Sequence, residues 1–233
     1  MIGVESSRVM RAAPRKAAER EEASVPWDFS RKYAAVHHSG TISVENARKR
    51  SKIGRVMKVE TFETPQDAAK ALAGEVAELI RTRAAEGKNV VLGLATGATP
   101  LPFYAELVRM HKEEGLSFAN VISFNLDEYS GLDRDHPESY WYFMHTNLFN
   151  HIDIKPENIN LPSGTVKDDE IAAHCAAYEQ KIKDCGGIDL QILGIGRTGH
   201  IGFNEPGSDD TTVTRQVHLD ELTRSDAAPA FGG

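Results

Sequence analysis

Cysteine is nearly absent from this chain, with only Cys175 and Cys185 among 233 residues. Two are too few for a disulfide framework, and their spacing fits no metal-site pattern, so a reducing cytoplasm is the expected compartment. Long apolar runs are missing as well. Residues 1–22 hold no uninterrupted apolar stretch of the secretory kind and no later segment approaches a bilayer span, which argues against export and against a membrane anchor. A basic surplus is also lacking: the net charge is −7. The first 52 residues carry 11 basic and 6 acidic side chains, leaving 16 against 28 for the remainder. So acidic a body argues against nucleic acid as the main partner. His136, His145 and His151 are spaced too irregularly for a zinc motif, and no metal is assigned. There are no internal repeats or low-complexity tracts. What remains is ordinary globular material, 40% hydrophobic and 26% charged, enough for one sizeable domain.

The chain divides into residues 1–52 and 53–233. The first part, with Arg48-Lys49-Arg50 and no sustained strand pattern, is read as a basic extension, disordered or partly helical, in which Trp27, Phe29 and Tyr33 are the docking side chains. Beyond it strands and helices alternate. A short strand is expected at 57–62, followed by a helix opened by Thr64-Pro65-Gln66-Asp67, a capping-box start with proline at the first helical position. Leu72, Val76, Leu79 and Ile80 give that helix one apolar stripe, and Gly87 closes it. Residues 89–94 read as a strand covered on both faces, as do 121–125 and 188–193. A helix at 168–183 places Ile171, Cys175, Tyr178 and Ile182 on one face, so Cys175 is core rather than nucleophile.

Three turns carry chemistry. Ala95-Thr96-Gly97-Ala98-Thr99-Pro100 leads from a strand into a helix, a setting in which backbone N–H groups suit a phosphate, although Gly and Thr also serve such turns for geometry alone. Leu126-Asp127-Glu128-Tyr129 follows a second strand and puts Asp127 at its carboxyl end. Gly194-Ile195-Gly196-Arg197-Thr198-Gly199-His200-Ile201-Gly202-Phe203-Asn204-Glu205-Pro206-Gly207 follows a third, with a histidine and a carboxylate in a glycine-dense turn. In an open α/β sheet such ends face one crevice.

Together with His136-Pro137-Glu138-Ser139-Tyr140, these turns resemble the glucosamine-6-phosphate deaminase family over roughly residues 57–230. The resemblance implies a doubly wound, mostly parallel sheet with helices on both faces, a Rossmann-like sugar-phosphate isomerase/deaminase fold. It implies conversion of glucosamine 6-phosphate and water to fructose 6-phosphate and ammonia, in amino-sugar catabolism, with no cofactor and a small sugar phosphate as partner; homo-oligomers are possible in this setting. Carried over position by position, it makes Asp127 the base that moves a proton between C2 and C1. His200 would assist ring opening, and Glu205 would orient that imidazole. Thr96, Gly97, Ala98 and Thr99 would hold the phosphate, with Arg215 a charged substrate contact. Where the family commonly has aspartate two positions before the histidine, this chain has Thr198, so a carboxylate able to couple to His200 is missing there. The Gly-Arg-Thr-Gly-His version resembles a divergent deaminase-like branch, some members of which are fused to a deacetylase-like domain. The chain ends at Gly233, whereas the family continues through further strands and helices, so the C-terminal elements are expected to be missing. Two alternatives stand beside this one: a 6-phosphogluconolactonase-like hydrolase, and a non-catalytic sugar-phosphate-binding regulator.

Overall fold

Thr64 starts the first long helix in the computed structural model, which describes residues 2–4, 32–36, 59–209 and 211–231. Its hydroxyl oxygen accepts from the Asp67 amide at 3.1 Å, and Pro65 takes the first helical position, where no amide is needed. This helix, α1 (Pro65–Ala85), buries Leu72, Val76 and Ile80 with Ala69, Ala73 and Ala77 between them. Strands β1 (Ile2–Val4) and β2 (Lys32–Val36) precede it. After it come β3 (Val90–Leu94), α2 (Leu101–Glu114), β4 (Val121–Asn125), β5 (Glu128–Ser130) and α3 (Tyr140–Asn147). The chain then forms β6 (Ile159–Asn160), α4 (Ile171–Asp184), β7 (Leu190–Gly194), β8 (Gln216–His218) and α5 (Glu221–Ala227).

Five strands form one sheet in the order β2-β7-β3-β4-β6 and three form another in the order β5-β1-β8, and every pairing is parallel. Successive side chains of a strand point to opposite faces, and β3 uses both. Val90, Leu92 and Leu94 join the core built with α1, α2 and α3, whereas Val91 packs with Phe124 and with Tyr178 of α4 on the other side. Helices therefore cover both faces, which is why β3 is a continuous apolar run buried along its whole length. Cys175 lies in the buried patch with Ile171, as its position on the apolar face of α4 required.

Two connections pass from the larger sheet to the smaller. Only Leu126 and Asp127 separate β4 from β5, and residues 195–215 separate β7 from β8. Because β3 lies between β4 and β7, the carboxyl ends of three adjacent strands open on one edge, with the turns after them side by side.

The structure departs from the sequence reading in places. No strand forms at 59–62: Val59 and Phe62 are exposed and extend away from the core, while Met57 and Lys58 lie outside the described residues. Helix α3 begins at Tyr140 because Ser139 is its cap, accepting from the Tyr142 amide at 3.0 Å. The segment 1–52, read as carrying no strand, contributes two. Lys32–Val36 lies parallel to β7 and Ile2–Val4 lies between β5 and β8. Ladder hydrogen bonds are made by the backbone, so short segments without a hydrophobic pattern can still add to a sheet. The rest of that extension lies outside the described residues.

Gly164 bears directly on β5. Its carbonyl accepts from the Gly131 amide at 2.6 Å, and an added Cβ would overlap the backbone carbonyl oxygens of Tyr129 and Leu132. Backbone cannot swing aside as a side chain can. Gly164→Ala should therefore cost about 1–3 kcal/mol, the usual range for overpacking. Urea unfolding at equal slope reads this directly, and an unchanged midpoint would mean that the 129–132 segment yields freely.

Candidate active site

Asp127 occupies the two-residue step between β4 and β5, where it is 6% exposed. Burial, reinforced by the neighbouring Glu128 carboxylate, raises its pKa from the ordinary 3.8 to about 7. The adjacent acid is committed elsewhere. Glu128 Oε1 accepts from the Tyr129 amide at 2.9 Å and the Tyr140 amide at 3.0 Å, and Oε2 accepts from the Trp141 amide at 3.1 Å. It closes the N-terminus of α3, where unpaired N–H groups and the helix dipole favour a carboxylate. Burial still raises the pKa of Glu128, against the pull of those three amides.

The β7 turn comes directly against Asp127. A Cβ added at Gly202 would lie 3.3 Å from Asp127 Oδ2, and the Gly202 φ of 58° is left-handed. Glycine is what permits this approach. Two residues earlier, His200 is 19% exposed at its side chain and rests its ring on Gly196. Its Nδ1 lies 2.8 Å from Thr198 Oγ1 and 3.5 Å from Glu205 Oε2. Thr198 Oγ1 in turn donates to Glu205 Oε2 at 2.8 Å.

No carboxylate stands at position 198, and Glu205, expected to orient the imidazole, lies beyond the Thr198 hydroxyl. Glu205 supplies the charge and the threonine hydroxyl spans the gap. Glu205 Oε1 also accepts from Thr223 Oγ1 at 2.6 Å and from the Asp220 amide at 3.2 Å. Partial burial pushes the Glu205 pKa up, but the hydroxyls of Thr223 and Thr198, the Asp220 amide and the His200 ring together hold it below the ordinary value. The carboxyl is an anion at neutral pH.

The turn after β3 is anchored from beneath by the buried Tyr104, whose hydroxyl donates to the Ala95 carbonyl. Gly97 has a φ of 96° and, with Ala98, is exposed at the mouth, while Thr96 and Thr99 are half-buried. The amides of Gly97, Ala98 and Thr99 find no acceptor among the described residues. They precede α2 at its positive end, and its Pro100 cap makes no side-chain bond. Thr96 and Tyr129 adjoin Tyr140 on the side that faces the site. Burial, helped by the Asp127 charge, pushes the Tyr140 pKa well up, so this phenol keeps its proton. Tyr140 stacks on Phe203 with centroids 5.9 Å apart, and Tyr129 packs on both rings at 5.1 and 5.2 Å.

Asp127, Gly202, His200, Thr198 and Glu205 are thus brought together, and Thr96 adjoins them through Tyr140. Arg215 is tied differently. Its guanidinium donates to Asn204 Oδ1 at 3.1 Å, to Ser208 Oγ at 2.8 Å and to the Val213 carbonyl at 3.3 Å, so it braces the turn that carries Glu205. Sequence reasoning missed Thr223 and the capping role of Glu128. Neither sits in a recognisable motif, and each acquires its partner only when α5 or α3 docks. Among the described residues no group of three or more His, Cys, Asp or Glu side chains could hold a metal ion.

Comparison with known proteins agrees with this geometry. Residues 63–219 match the family described as glucosamine-6-phosphate isomerases/6-phosphogluconolactonase. A glucosamine-6-phosphate deaminase of Thermoanaerobacter sp. (strain X514) is 53% identical over 152 residues, covering 65% of this chain and 59% of the relative. A putative glucosamine-6-phosphate deaminase-like protein of Bacteroides thetaiotaomicron is 44% identical over 190 residues, covering 81% of this chain and 29% of the relative. Among solved structures, a monomeric glucosamine-6-phosphate deaminase superposes with a TM-score of 0.71 at 43% identity, over 75% of this chain and 70% of that one. The chain spans less than two thirds of the length of either sequence relative.

Proposed function

Since this chain belongs to the glucosamine-6-phosphate isomerase/6-phosphogluconolactonase family, we propose that it isomerises and deaminates glucosamine 6-phosphate, giving fructose 6-phosphate and ammonia. The observation that carries this reading is the buried Asp127 carboxylate, which titrates near 7 and faces the turn that holds His200. Proton abstraction beside a carbonyl needs a base matched to neutral pH, and positioned acid/base transfer contributes about 10²- to 10⁴-fold.

The proton count runs through two groups. His200 takes the proton of the anomeric hydroxyl and returns one to the ring oxygen, opening the pyranose to the aldehyde. Asp127 then removes the C2 proton and delivers it to C1, while O1 gains a proton and the nitrogen loses one, leaving a hydroxyl on C1 and an imine at C2. Water adds to that carbon, nitrogen departs as ammonia, and the water oxygen remains as the ketone of fructose 6-phosphate; the last step is a hydrolysis. Glu205, anionic and fully hydrogen-bonded, stabilises the imidazolium formed in the first step. The Thr96–Thr99 turn holds the phosphate through its amides, and Arg215 supports the turn opposite. No step calls for a cofactor. In this reading residues 53–233 form the catalytic body, and 1–52 is an extension whose segments Ile2–Val4 and Lys32–Val36 pair with its strands. The cytoplasm is supported by the two free cysteines, and no described helix is long and apolar enough to cross a membrane.

The test is to incubate the purified chain with glucosamine 6-phosphate and assay ammonia and fructose 6-phosphate, with 6-phosphogluconolactone hydrolysis in parallel. Equimolar ammonia and fructose 6-phosphate are expected. Lactone hydrolysis without ammonia would move the chain to the lactonases, and sugar-phosphate binding with neither activity would make it a binding protein.

A further inference from the structure

Two hydroxyls, each with one proton to give, lie between His200 Nδ1 and the Glu205 carboxylate. Thr198 and Thr223 come from different elements, one from the β7 turn and the other from α5, and both converge on the same two groups. Thr198 Oγ1 is 2.8 Å from His200 Nδ1 and 2.8 Å from Glu205 Oε2. Thr223 Oγ1 is 3.3 Å from His200 Nδ1 and 2.6 Å from Glu205 Oε1. A carboxylate can only accept, and each hydroxyl has one proton to give. With both protons committed to Glu205, neither threonine can donate to the imidazole. Each can only accept from it, so Nδ1 must carry the hydrogen.

We infer that Thr223 is a positioning residue for the proposed reaction: with Thr198 it forms a two-hydroxyl clamp that relays the charge of Glu205 and locks neutral His200 in the Nδ1–H tautomer. The inference rests on the deaminase reading for its kinetic consequence but not for its structural one. The free Nε2 lone pair is then the atom that accepts the substrate proton, and it is the edge of the ring that lies against Gly196. Thr198 alone would leave the ring free to pivot about one contact, and the second hydroxyl removes that freedom. The helix bearing Thr223 is itself fixed at its start, where Asp220 Oδ1 accepts from the Leu222 amide at 2.8 Å and the Asp220 amide binds Glu205. Docking of α5 is thereby coupled to the protonation pattern of a ring on another element.

The tautomer can be read without any turnover. In 15N-histidine-labelled protein, with His200 assigned by its loss in His200→Asn, long-range proton–nitrogen correlation at pH above the ring's titration should show a protonated Nδ1 and a bare Nε2. A proton on Nε2 in the unsubstituted chain overturns the inference whatever the activity. Thr223→Val should let the second tautomer appear and lower kcat by about tenfold to a hundredfold, the range for a hydrogen bond to a charged group, with KM nearly unchanged. Thr223→Ser, which keeps the hydroxyl, should restore both. Equal losses in Val and Ser, or a Val variant with unaltered kcat and tautomer, would sink it. Absence of deaminase activity in every variant with the expected tautomer would instead remove the deaminase reading and leave the clamp standing.

Discussion

Asp127→Asn is expected to lower turnover of glucosamine 6-phosphate by at least about 10²-fold while leaving binding of the sugar phosphate nearly intact, because the amide keeps the shape and cannot take a proton. The same substitution should stabilise the fold in a pH-dependent way. The Asp127 carboxyl has a pKa raised from 3.8 to about 7 in the folded chain. Below about pH 4 both folded and unfolded chains hold the proton, and the raised value costs nothing. As pH climbs from there, the unfolded chain releases its proton while the folded chain retains it until about 7, so stability is lost across that window. At 1.36 kcal/mol per unit the full cost above pH 7 is at most roughly 4 kcal/mol. Asparagine never ionises and escapes it. Urea unfolding should therefore find Asp127→Asn more stable than the parent at pH 8 and close to it at pH 4. Equal differences at the two pH values would mean that Asp127 titrates normally. Its role as a base near neutrality would then lose its physical basis.

Gly196→Ala should be nearly as damaging to turnover, for a different reason. A Cβ there would fall inside the van der Waals envelopes of His200 Nε2 and Cε1 and 2.6 Å from Cδ2. The ring cannot retreat easily, since its other edge is held at 2.8 Å by Thr198 and at 3.3 Å by Thr223. Either the hydroxyl clamp breaks or the turn shifts, and a displacement near 1 Å from productive geometry can cost about 10²-fold. Thermal stability should change far less than kcat/KM, because the site is at the edge of the sheet and outside the core. Gly194→Ala is the natural control: a Cβ added there meets nothing within 4 Å. Activity retained in Gly196→Ala would show that the imidazole moves freely and that its placement against Gly196 has no catalytic meaning.

The architecture was legible because its causes are local. The Thr64 cap with Pro65, the apolar stripe of α1, the buried runs of β3 and β4 and Gly87 after α1 each specify an element within a few residues. Alternation of such elements leaves few alternatives to a doubly wound parallel sheet. Motif order marked Asp127, His200 and Glu205 for the same reason: side chains at the carboxyl ends of adjacent strands share an edge. The strand at Lys32–Val36 escaped notice because backbone pairing recruits a segment without requiring a pattern in it.

Sequence by itself thus determined α1, β3, β4, α4 and β7 and put the acids and the histidine at strand ends. Tertiary structure alone decided how neighbouring groups divide the work. Asp127 and Glu128 are adjacent carboxylates of one turn, and only the docking of α3 commits Glu128 to backbone amides and leaves Asp127 facing Gly202. Thr198 read as a missing carboxylate, and only the fold shows its hydroxyl bridging Glu205 to His200; Thr223 had no reading until α5 folded against both. Hydrogen-bond partners are chosen by three-dimensional proximity and by the count of protons available, and neither quantity is written along the chain.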